Sequence, residues 1–220
     1  MAQFHFVEDY ERHVAALKAA HPIDEAMSLA VGGNYHLAGE IEVDLLKKAG
    51  LRDGMAIFDL GCGSGRLATA LAKTGLKIDY LGTDVVQDLL DYAASKTPPH
   101  FRYLRHPELS VPAADASFDI ACAFSVFTHL LHHESYLYIE EIRRVLKPGG
   151  KLVFSFLEFD VDQHWPAFEH TIEQQRNSTT PHLNTFIERA PIAAWAQRLG
   201  FSAPSFHGDL GQTTAILTAV

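Results

Sequence analysis

Cysteine is scarce. Cys62 and Cys122 are the only two in 220 residues, so no disulfide framework supports the fold, and a reducing cytoplasm is the expected setting. Long hydrophobic runs are missing as well. The most apolar stretch, residues 120–127, is far short of the roughly 18 residues of a membrane span and is broken by Ser125. The opening residues MAQFHFVEDYER hold no basic segment followed by an apolar one, so no secretory leader is expected. Basic charge is in short supply too: 18 Lys and Arg stand against 27 Asp and Glu, a formal net charge of -9. Such a chain repels phosphate backbones, and its basic residues are scattered, so nucleic acid is not an expected partner. Repeats and low-complexity tracts are absent, which excludes solenoids and disordered linkers.

What remains is 47% hydrophobic and 20% charged, enough to bury roughly 70% of the unfolded surface without a structural metal. Short apolar runs alternate with longer segments of helical period. AIFDL precedes a glycine turn and RLATALAK, where Leu67, Ala70 and Leu71 form one stripe; DYLGT leads into VVQDLLDYAASK; FRYL is followed by a loop holding Pro107 and Pro112. FDIACAF is apolar throughout except for Asp119, as suits a central strand covered on both faces. A helix from about Glu134 to Leu146 is expected to end at the KPGG turn, before the strand KLVFSFLEF. FSAPSFH and TTAILTAV read as a closing hairpin. The pattern predicts an α/β fold with about seven strands, mostly parallel, the last antiparallel. Residues 1–50, helical around Tyr10, Val14 and Leu17 and again through Leu45, read as an N-terminal helical cap within the same domain. Residues 51–220 form its body, and a looser stretch at about 160–191 reads as a lid over a substrate.

The sequence DLGCGSG, from Asp59 to Gly65, ends the first strand and opens a helix. Ligands of open α/β sheets bind beyond the carboxyl ends of the strands, and glycines there let the backbone approach them. Two other readings of the glycines stand beside this one. They can simply make a tight turn, or they can form a nicotinamide dinucleotide site, which requires G-x-G-x-x-G; here the third glycine comes one place early and Arg66 takes the position that fingerprint gives to glycine or alanine. Asp84 ends the second strand 19 residues after Gly65. A carboxylate at that distance accepts hydrogen bonds from ribose hydroxyls; with Gln87 three residues on, it also reads as a capping box.

The successive segments IFDLGCGSGRLATALA, YLGTDVVQDLLDYA, ADASFDIACAFSVFTHL and YIEEIRRVLKPGGKLVFSF resemble, in order and spacing, the motifs of class I S-adenosylmethionine-dependent methyltransferases. The resemblance is strong over residues 51–156 and weak at the closing hairpin. It implies a Rossmann-like, doubly wound sheet and S-adenosylmethionine as cofactor. By position it implies that Asp59, Gly61, Cys62, Gly63 and Gly65 face the methionine end, that Asp84 holds the ribose with Val85 against adenine, and that Phe124 and Ser125 pass beneath the sulfonium. Many relatives carry an acidic residue after the third strand that reads the adenine amine. Here Pro107 stands in that place with Glu108 beside it, so backbone groups or Glu108 are expected to serve.

Methyl transfer from a sulfonium is an in-line displacement with a neutral leaving group, so positioning supplies most of the rate. A hydroxyl or protonated amine acceptor gains from a base. His129 is the first candidate; a structural histidine at a helix start is the alternative, and His132, His133, Glu158 and Asp160 follow nearby. No histidine spacing suits a metal. Tyr10, Tyr35, His36, His164, Trp165, Phe168 and His170 read as residues that enclose a small acceptor, although Trp165, Phe168 and Ile172 at helical spacing also suit a plain core stripe. The function expected is methylation of oxygen or nitrogen on a small molecule. The alternatives are a non-catalytic S-adenosylmethionine-binding regulator or scaffold and, further off, an NAD-dependent oxidoreductase.

Overall fold

The computed structural model describes residues 7–177, 184–209 and 211–220. Its strands are β1 (Ala56–Leu60), β2 (Asp79–Asp84), β3 (Arg102–Arg105), β4 (Phe118–Ala123), β5 (Leu146–Phe156), β6 (Ser205–Asp209) and β7 (Gln212–Thr218). They form one seven-stranded sheet in the order β3-β2-β1-β4-β5-β7-β6. The strands β1 to β5 run parallel, while β7 lies antiparallel to both β5 and β6. After β1 the chain winds outward to β3, then crosses back to β4 on the other side of β1. This is a Rossmann-like doubly wound sheet, and the loops after β1 and β4 diverge to leave a crevice at the reversal.

Helices α1 (Val7–Ala20), α2 (Ile23–Leu29) and α3 (Tyr35–Lys48) precede the sheet; α4 (Arg66–Lys73), α5 (Gln87–Lys96), α6 (His132–Val145), α7 (Trp165–Arg176) and α8 (Arg189–Arg198) follow in turn. Alternation along the strands sends neighbouring residues to opposite faces. Ile57 and Ile120 bury against Leu45 and Leu46 of α3 and Leu67 and Leu71 of α4. Phe58 and Ala121 bury on the other face with Ile139 and Ile142 of α6 and Ile192 of α8. Thus α3 belongs to a helical layer of the sheet. Val14 of α1 and Met27 of α2 pack on Val86 and Leu89, where α5 begins, and so lie at the carboxyl ends of the strands.

Three local readings of the sequence need correction. The first 50 residues hold three helices rather than two, because Pro22 opens α2 at its N-cap. KPGG is not a turn between helix and strand: β5 starts at Leu146, directly after α6, and Leu146 pairs with Phe118 while Lys151 pairs with Ile120. The four intervening residues bulge, and the bulge is held in the sheet because the Gly149 N–H donates to Ala219 O and the Ala219 N–H to Gly150 O. Finally, Val86 rather than Asp84 is the N-cap of α5, and the Gln87 side chain donates to Asp91.

Candidate active site

The loop after β1 folds as it does because its glycines adopt left-handed backbone: φ is 65° at Gly61, 54° at Gly63 and 81° at Gly65. A side chain at Gly61 would meet Val126, and one at Gly63 would meet Val31. Two bonds from backbone N–H groups tie this loop to β2, one to a carbonyl and one to a side chain. The Cys62 N–H donates to Thr83 O, and the Gly63 N–H donates to Asp84 Oδ2 at 2.9 Å. Asp84 Oδ1 accepts the Val86 N–H at 2.9 Å. Each carboxylate oxygen therefore has one backbone donor and a lone pair to spare.

The loop after β4 carries its own strain. Ser125 is a non-glycine residue with φ of 59°, a conformation that costs of order 1–3 kcal/mol and gathers at functional sites. Its N–H donates to Ser155 Oγ, and its Oγ accepts from Gln212 Nε2 on β7. A short 3-10 turn, Phe127–His129, follows, and the His129 ring meets the edge of Tyr10 with centroids 5.8 Å apart.

These loops surround a cavity of about 330 Å³, within the 300–1,000 Å³ of typical small-molecule sites. Of the residues singled out from the sequence, Asp59, Gly61, Cys62, Gly63, Asp84, Val85, Phe124, Ser125 and His129 line it. Gly65, Pro107 and Glu108 do not. Gly65 instead turns its α-carbon toward Ala93 of α5, where a methyl group would come within 2.7 Å of the Ala93 side chain. Glu108 stands behind two residues of the wall: its carboxylate pairs with His106 at 3.1 Å and its carbonyl accepts from the Tyr138 hydroxyl. The wall position after β3 belongs to His106.

The acceptor-enclosing residues expected from the sequence also separate. Tyr10 lines the cavity, but Tyr35 donates to Ser64 O, and the buried His164 accepts the Glu158 N–H. Trp165, 40% exposed, and Phe168 form an aromatic cluster with Phe159 and Phe186. None of the described residues of 160–191 lines the cavity; 178–183 lie outside them. Sequence reasoning passed over Val31, Glu42, Arg66, His106, Tyr138 and Gln212, all on the wall.

A family model for methyltransferase domains matches residues 58–154, the stretch from β1 to β5. Among curated proteins, a ubiquinone biosynthesis O-methyltransferase of Coxiella burnetii is 26% identical over 174 residues, spanning 75% of this chain and 71% of its own. The chain is a class I S-adenosylmethionine-dependent methyltransferase. An arsenite methyltransferase of Aquipseudomonas alcaligenes is 31% identical over 205 residues, covering 77% of this methyltransferase and 56% of its own length. A solved methyltransferase structure from Aquifex aeolicus superposes with a TM-score of 0.62 at 18% identity, covering 94% of this chain and 98% of its own.

The methyltransferase site fits its cofactor on two observations. Thr83 Oγ1, on the cavity wall, is buried and has no hydrogen-bond partner among the described residues; such an atom costs about 1–3 kcal/mol until a ligand reaches it. Buried carboxylates supply the acceptors that an ammonium and a ribose need. Burial pushes Asp59 up to about 7, although the Tyr80 hydroxyl donates to it at 2.6 Å, and Glu42 nearby raises it further. Burial also raises Asp84, opposed by its backbone donors, and raises Glu42, opposed by Arg66. Burial of Cys62 and Cys122 keeps both thiols protonated, and neither is in a disulfide. Among the described residues no group of His, Cys, Asp and Glu is arranged to hold a metal, and no helix is long and apolar enough to cross a membrane.

Proposed function

We propose that the enzyme transfers the methyl group of S-adenosylmethionine to an oxygen or nitrogen of a small-molecule acceptor. The observation that carries this reading is the Asp84 carboxylate, fixed by the Gly63 and Val86 N–H groups, on the wall of a cavity that also contains the His129 imidazole. In this reading Asp84 accepts the ribose hydroxyls, Val85 packs on adenine, and Asp59 with the Gly61–Gly63 backbone faces the amino-acid tail. Phe124 and Ser125 form the surface beneath the sulfonium. His106 replaces Pro107 and Glu108 as the side chain at the adenine edge.

The cofactor supplies an activated methyl on a leaving group that departs neutral. The protein's part is to orient the acceptor, exclude water and take a proton. His129 is the base, accepting the acceptor's proton on a ring nitrogen, and Tyr10 stands against its ring to hold the imidazole's orientation. Burial raises the Tyr10 and Tyr138 hydroxyls well above the usual range for tyrosine, so both stay neutral; the Tyr138 proton is committed to Glu108 O, which leaves its oxygen to accept from a bound ligand. The cavity volume and the net charge of -9 support a small molecule over a nucleic acid. Two free buried cysteines support a cytoplasmic setting.

Screening phenols, catechols, amines and small carboxylates with methyl-labelled cofactor tests the proposal. Transfer of label to one class, with release of S-adenosylhomocysteine, is the expected result. Tight cofactor binding with no transfer to any small molecule, and transfer instead to protein or RNA, overturns it.

A further inference from the structure

The roles assigned above leave one buried carboxylate on the cavity wall unused. Glu42, on α3, is 1% exposed and lines the cavity. Its partner is Arg66, at the start of α4, whose Nε and Nη2 both meet Oε1, at 2.7 and 2.6 Å. The remaining arm, Nη1, donates to Val31 O at 2.6 Å. Among the described residues, none donates a hydrogen bond to Oε2.

Asp59 stands on the same wall, and its side-chain donors are neutral: the Tyr80 hydroxyl at Oδ2 and, more weakly, the Cys122 thiol at Oδ1. Two buried carboxylates therefore share one guanidinium, and Glu42 contributes to holding Asp59 up near neutrality. A buried surplus of negative charge is costly unless a cation joins it. The group that suits is compact, singly positive and rich in N–H donors, which describes a primary ammonium.

We propose that Glu42 and Asp59 jointly hold the α-ammonium of the cofactor's amino-acid tail, Glu42 through its open Oε2. The inference rests on the cofactor reading above and adds a residue from outside the strand-end motifs. It also gives Arg66 a specific duty, which is to fix Oε1 and so aim Oε2 into the cavity.

Calorimetry with S-adenosylhomocysteine and its deamino analogue, in which hydrogen replaces the ammonium, tests this on the intact protein. The wild type is expected to prefer the amine by about ten-fold or more, as suits a charge-assisted bond. Glu42→Gln should cut that preference several-fold by weakening the amine ligand alone, with Asp59 retaining the rest. A group that reads the tail's carboxylate would respond the other way, since removing a neighbouring negative charge strengthens such a contact. Glu42→Asp, which keeps the charge opposite Arg66 but withdraws the carboxylate by one methylene, should cut the preference too and covers the case in which the glutamine variant does not fold. An undiminished preference in the variants, or equal weakening of both ligands, overturns the proposal and leaves Glu42 as a structural clamp. A wild type that binds neither ligand overturns the cofactor reading, and this inference with it.

Discussion

The wall of the cavity has two origins. One part comes from the turns that follow β1, β2 and β4, where Asp59, Gly61, Gly63, Asp84, Val85, Phe124 and Ser125 stand close in sequence to the strand that aims them. The other comes from far along the chain: Tyr10 from α1, Val31 from the turn after α2, Glu42 from α3, Tyr138 from α6 and Gln212 from β7. The first part is made by backbone conformation, the second by side chains that distant packing delivers. Family resemblance therefore reports on the first, and acceptor choice is expected to reside in the second, Glu42 apart.

His129 belongs to the strand-end part and carries the largest expected effect. His129→Ala should lower kcat by about 10²–10⁴-fold, the usual contribution of a positioned base, with S-adenosylhomocysteine affinity within about two-fold by calorimetry. Affinity and thermal stability falling together, with kcat per folded molecule unchanged, would make the histidine structural. Asp84→Ala should weaken S-adenosylhomocysteine by about 10–100-fold, because charged hydrogen bonds to the ribose are lost. It also frees the Gly63 N–H, so equal affinities for wild type and variant would sink the ribose assignment.

The distant part is probed by Gln212→Met, which removes the unpartnered Oε1 and the bond to Ser125. The expectation is a three- to ten-fold fall in kcat/KM for the acceptor, about the worth of one neutral hydrogen bond, with cofactor affinity unchanged. A cofactor defect instead would move Gln212 to the other side of the comparison.

The smallest effect is electrostatic. Asp59 is raised in the fold to about 7 from an unfolded value of 3.8, so its contribution to stability is full below about 4 and is lost as pH rises through about 7. Glu42 and Asp84 shift in the same direction. Urea unfolding of the ligand-free enzyme should therefore show less stability at pH 8 than these groups allow at pH 5, and Asp59→Asn should flatten that difference. A slope unchanged by the substitution would refute the shift.

The central parallel strands β1 and β4 were legible because each is a short apolar run bounded by punctuation, and the glycine turn because a left-handed backbone demands a particular residue. His106 was missed in favour of its neighbours because a one-residue offset decides which side chain of a loop faces inward, and no periodicity marks it. Glu42 and Tyr138 were passed over because on an amphipathic helix a buried polar residue reads as an interruption of the apolar stripe. The aromatic stripe at Trp165 and Phe168 admits two readings from sequence, an acceptor wall or plain packing, and the structure favours the second: its rings satisfy one another beside Phe159 and Phe186, away from the cavity.

The N-terminal helices are stitched to the glycine turn at three points: Ser64 Oγ donates to Met27 O, the Tyr35 hydroxyl to Ser64 O, and Arg66 Nη1 to Val31 O. Opening of that segment removes these three bonds from the turn, so the two are expected to exchange their amide hydrogens as one cooperative unit. Ligand bound at the turn should then slow exchange in residues 27–35, so that occupancy is felt in the N-terminal helices without any change of shape.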